Sequence, residues 1–97
     1  MTREQLARLY GACYTNTDPT DPRRQAFEAV AYWLKNKTLT AATVIGLAQE
    51  AHDKRAIIGD YMQAQVYETF VHRLQEIVND ELERSYNVYY GNDSDRA

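Results

Sequence analysis

The stretch 60-DYMQAQVYETFVHRLQEIVNDELERSYNVYY-90 contains neither proline nor glycine, and the spacing of its apolar residues decides the fold. Tyr67, Phe70, Val71, Leu74, Ile77, Val78 and Leu82 follow at intervals of 3, 1, 3, 3, 1 and 4, which is one face of an α-helix. Tyr86 and Tyr89 carry the stripe on. Asp60 with Gln63 three places later has the spacing of a helix start, where side chains satisfy orphan amide groups. A helix over residues 61–88 reaches about 42 Å at roughly 1.5 Å per residue. A compact domain of this size has a radius of gyration near ~13 Å. The helix is therefore longer than its body is wide, and part of its apolar edge must protrude, kink or be covered by another chain.

The rest of the chain reads as shorter helices. In "TREQLARLYGACY", Thr2 and Gln5 repeat the cap spacing, and Leu6, Leu9, Tyr10 and Cys13 form one stripe. "TNTDPTD" is a loop of turn formers. Asp21-Pro22 restarts the chain as N-cap and first helical residue, with Ala26, Phe27, Val30, Trp33 and Leu34 facing inward. A third helix begins near Thr38 or Thr40 and directs Val44, Ile45, Ala48 and Ala51 to the core. Residues 53–59, before and including Gly59, read equally as loop or as continued helix. The only strand-like segment is "YNVYY". The expected fold is all-α, a small bundle of three to four helices with a long C-terminal helix. Residues 1–90 form a single helical domain, and 91–97, "GNDSDRA", a flexible acidic tail.

Ninety-seven residues, 44% of them hydrophobic, supply one core and a thin stability margin. Cys13 is the only cysteine, so no internal disulfide and no CxxC metal knuckle can form. The opening "MTREQLARLY" is too charged for a secretory signal, no segment is apolar enough to cross a bilayer, and a cytoplasmic setting is expected. The net charge of −3 hides an asymmetry. Residues 1–55 hold eight Lys/Arg against six acids, and residues 56–97 hold three against eight. An acidic C-terminal half repels nucleic acid and membranes and favours a basic protein partner.

The motifs that would carry chemistry are weak. "IGLAQEAHDKRAIIGDYMQ" is spaced like a helix-turn-helix, but His52 and Asp53 stand where its turn wants glycine and an apolar residue. His72 and Glu76 share a helix face at metal-ligand spacing, which is equally that of an exposed polar pair. Cys13 lies on an apolar stripe, no glycine-rich phosphate loop or GxSxG is present, and no cofactor, metal or catalytic site is expected. Arg23 and Arg24 occupy the first turn of a helix, where the macrodipole disfavours cations. With Lys35 and Lys37 they form a candidate basic patch for nucleic acid; the alternative is solvated arginines lying over apolar surface. The acids of "NDELER" and "NDSD" suggest, more thinly, a nucleic-acid mimic.

Eight tyrosines remain, and the core has little room for Tyr86, Tyr89 and Tyr90. Tyrosine offers wide contact area at low rotamer cost, so these three with Asp80, Glu81 and Glu83 form the candidate partner-binding surface. The alternative is that the rings fold back onto the first helix. The expected function is a non-enzymatic protein-binding module that docks on and modulates or inhibits a larger protein with a basic surface. Small acidic chains without chemistry of their own are common among phage- or plasmid-type accessory factors, including anti-defence inhibitors. The alternatives are a homodimer whose paired helices are the functional unit, and a helical protein that binds or imitates nucleic acid.

Overall fold

The computed structural model describes residues 1–85 with their side chains and residues 86–96 as helical backbone. Four helices make up the fold: α1 (Arg3–Asn16), α2 (Arg23–Lys35), α3 (Ala41–Ile57) and α4 (Tyr61–Arg96). The expected domain boundary at residue 90 and the expected tail 91–97 fall outside the fully described residues. α1 pairs with α2 and α3 with α4, and α2 joins the two hairpins by packing on α4.

Each helix start is written locally. Thr2 and Gln5 close a reciprocal capping box on α1, with Gln5 N–H donating to Thr2 Oγ1 at 3.2 Å and Thr2 N–H to Gln5 Oε1 at 2.8 Å. Asp21 Oδ1 accepts the Arg23 N–H at 2.9 Å, while Pro22 already has helical geometry, which suits its missing N–H. Thr40 caps α3 through the Thr43 N–H at 3.2 Å, and Asp60 caps α4 through the Gln63 N–H at 3.2 Å.

Residues 53–57 belong to α3, so no turn exists at His52–Asp53 and the helix-turn-helix spacing has no structural counterpart. The helix stops through its backbone. Gly59 sits at φ 81°, its N–H donates to Ala56 O at 3.1 Å, and the Asp60 N–H donates to Arg55 O at 2.8 Å. Those two bonds are a Schellman motif, whose left-handed residue is usually glycine.

The core is one cluster drawn from all four helices. Leu6, Val30, Val44, Phe70 and Leu74 are its largest fully enclosed side chains. Tyr10 stands edge-on to Phe70, ring centres 5.3 Å apart at 89°, and lies 6.1 Å from Phe27. Trp33 rests against Tyr67 at 6.1 Å. Burial pushes the phenols of Tyr10 and Tyr67 above the usual 10.0, with Arg73 and Arg55 respectively opposing the rise.

α4 outruns this core. α3 and α4 pack together across a tight turn, and they are unequal in length, 17 residues against 36. Among the described residues Ile77 is the last buried side chain, Val78 is half-buried, and 79–85 are all exposed. The molecule measures 59 × 27 × 21 Å with a radius of gyration of 16.4 Å, against ~13 Å for a compact domain of this length.

Candidate functional site

Where α3 ends, α4 loses its cover but keeps its charge. Asp80, Glu81 and Glu83 are exposed, and Leu82 among them is 63% exposed. By sequence spacing Leu82 continues the stripe of Val71 and Val78, yet those two are half-buried and Leu82 is exposed. The result is an exposed apolar residue with Glu81 and Glu83 to either side of it, while Asp80 lies toward the far face of the helix. Tyr86, Tyr89 and Tyr90 lie outside the residues whose side chains are described.

The four residues of the expected basic patch do not meet. Arg23 and Arg24 open α2 while Lys35 closes it and Lys37 follows, about 18 Å further along the helix. Both arginines are engaged. Arg23 forms a forked pair with Asp21, its Nη2 2.7 Å from Oδ2 and its Nε 3.1 Å from each carboxylate oxygen. That pairing holds the Asp21 carboxyl below, and the Arg23 guanidinium above, their ordinary pKa values. Arg24 reaches back to the preceding helix. Its Nη1 donates to Thr17 O at 2.8 Å and to Tyr14 O at 3.3 Å, and its guanidinium lies 4.3 Å from the centre of the Tyr14 ring.

Arg3 does the same in the opposite direction. From the first turn of α1, its Nε donates to Leu34 O at 3.1 Å and its Nη2 to Asn36 O at 3.1 Å and Trp33 O at 3.3 Å. Each helix of the first hairpin thus starts with an arginine that satisfies the terminal carbonyls of the other, where the macrodipole is negative. The apparent misfit of Arg24 with its own helix is resolved by its neighbour's end.

A second surface escaped the sequence reading. Ile57 (84% exposed), Ile58 (67%), Tyr61 (69%) and Met62 (51%) cluster around the α3–α4 turn. Register is a signal for Ile57 alone, which lies off the face defined by Val44, Ala48 and Ala51; Ile58, seven places after Ala51, keeps that register but stands at the end of α3. Beside them Lys54 pairs with Glu50 at 3.0 Å, and Gln63 is buried with its Oε1 unpartnered among the described residues.

Among the described residues, no group of three or more His, Cys, Asp or Glu side chains converges as metal ligands would. His52 Nδ1 lies 3.1 Å from its neighbour Asp53, both His72 and Glu76 are exposed, and Cys13 is half-buried. No helix among the described residues is long and apolar enough to cross a membrane. Comparison with protein-family models, curated proteins and solved structures returned no match.

Proposed function

We propose that this chain is a non-enzymatic binding module that docks on a larger protein through the projecting part of α4 and so modulates or blocks it. The observation behind this reading is the exposure of Leu82, at 63%, beside Asp80, Glu81 and Glu83, where α3 no longer covers the helix. An amphipathic helix laid in a groove is a common mode of recognition, with apolar anchors supplying buried area. The carboxylates select a groove with a basic rim and speed the encounter. Tyr86, Tyr89 and Tyr90 follow in sequence and would lengthen the contact. An accessory inhibitor of phage or plasmid type is the role we favour for a chain of this size and charge.

The test is a pull-down with the tagged chain, its Leu82→Glu variant and its Tyr86→Ala, Tyr89→Ala, Tyr90→Ala triple variant. The expected result is a stoichiometric partner held by the native chain, lost from both variants and weakened as salt rises. Equal recovery with both variants, at unchanged circular dichroism, contradicts the reading.

A second reading starts from exposed apolar residues toward both ends of the described part of α4, Ile57, Ile58, Tyr61 and Met62 at one and Leu82 at the other. Antiparallel pairing of α4 from two copies would cover both in a closed dimer. Sedimentation over a range of concentrations decides: a constant monomer mass removes the dimer and leaves the docking reading intact.

A further inference from the structure

Lys35 and Lys37 have different company from the one expected of them. At the end of the first hairpin, a cleft of about 390 Å³ opens between α1 and the last turn of α2. Its rim carries Arg3, Arg8, Lys35 and Lys37 against a single acid, Glu4, and its floor is Ala7 and Leu34. Four cations against one acid give a local charge of +3, in a chain whose net charge is −3.

We propose that this cleft binds a compact phosphorylated small molecule bearing two or more negative charges. The first support is the contrast among the arginines and lysines themselves. Arg3, Arg23 and Arg24 each hold a helix end or a carboxylate. Arg8, Lys35 and Lys37 form no ion pair or side-chain hydrogen bond among the described residues. Like charges gathered around one concavity repel in the empty state and raise the local concentration of anions. Lys35 gains from its place in the last turn of α2, but neither Arg8 nor Lys37 stands at a helix end that favours a cation.

The second support is geometry. The Lys35 ammonium lies back over α1, 4.0 Å from the place a Cβ on Gly11 would occupy. Lysines present point charges that adjust to phosphate oxygens, and Arg8 adds a planar fork. The start of α1 contributes the positive end of its dipole. The opposing carbonyls at the end of α2 are already taken by Arg3.

The third support is what the cleft lacks. Among the described residues no aromatic side chain lines it, whereas single-stranded nucleic acid is held by bases stacked on aromatic rings. The acidic C-terminal half also repels a long polyanion. A short, highly charged ligand fits; a polymer fits poorly.

Pyrophosphate is the probe. Titrated into the isotope-labelled full chain, it should give saturable amide shifts centred on Ala7, Arg8 and Leu34 to Lys37. The double variant Lys35→Glu with Lys37→Glu should lose about tenfold or more in affinity, as should Arg8→Glu, which acts from the other helix. All three side chains are exposed, so the dichroism spectrum should hold. Arg73→Glu, away from the cleft, should bind as the native chain does. Shifts spread evenly over the surface overturn the proposal, as does undiminished affinity in both cleft variants. A single-stranded oligonucleotide that binds more tightly and displaces pyrophosphate assigns the cleft to nucleic acid instead. Leu82→Glu should leave pyrophosphate binding unchanged, so failure here and failure of docking through α4 are separate results.

Discussion

The two parts of α4 share one backbone and one pattern of apolar spacing, and they have opposite roles. From Tyr61 to Ile77 the helix buries Ala64, Val66, Tyr67, Phe70 and Leu74 against three neighbours. From Asn79 to Ser85 it buries nothing. The difference lies in the length of α3, not in α4. α3 has 17 residues against 36 in α4, and among the described residues no side chain of α4 beyond Val78 is even half-buried. Periodicity in a sequence says which face of a helix is apolar; the length of the neighbour says how much of that face the fold consumes.

The contrast can be broken at either end. Phe70→Ala should cost about 3–5 kcal/mol in denaturant unfolding, because it empties the centre of the core and removes the edge contact with Tyr10. A loss below ~1 kcal/mol would mean that the buried half is not the keystone described here. Arg3→Ala should follow at about 2 kcal/mol, from three carbonyls of α2 losing a charged donor at a partly buried site. Arg3→Lys, with one point charge in place of the fork, should recover only part of it.

Gly59→Ala should cost about 1 kcal/mol. The added methyl has open space around it, so the whole effect comes from the left-handed φ of 81°. That variant sharpens the comparison, since it tests the turn that sets α3 against the start of α4. Leu82→Ala should change stability by less than ~0.5 kcal/mol, as a substitution that touches no packed neighbour. The ordering Phe70, Arg3, Gly59, Leu82 is the account in numerical form.

Much of this fold was legible in the sequence. The cap spacings of Thr2 with Gln5 and Asp60 with Gln63, and the threonine before α3, are local signals, and the chain honours each of them. The inward residues Ala26, Val30 and Leu34 followed from spacing alone. What stayed hidden was non-local. The arginines at the start of α2 looked wrong for their own helix because Arg24 serves the end of another. The four basic residues grouped by sequence separate because a helix holds its ends apart, while Arg3 and Arg8 come to Lys35 and Lys37 only through the antiparallel hairpin. Ile57 is turned off the buried face by its register, whereas Ile58 keeps the register of Ala51 and is left outside where the helix closes before Gly59.

The central claim is that the fold makes no use of α4 from Asn79 to Ser85, and amide hydrogen exchange along that helix tests it most directly. Exchange from a packed helix needs concerted opening, whereas an unaccompanied segment opens locally at little free-energy cost. Slow exchange over residues 64–77, falling by orders of magnitude across 79–85 in dilute solution, is the predicted profile. Uniform slow exchange through Ser85 in a monomer would contradict it, because something in the molecule would then be holding the segment that the account leaves for a partner.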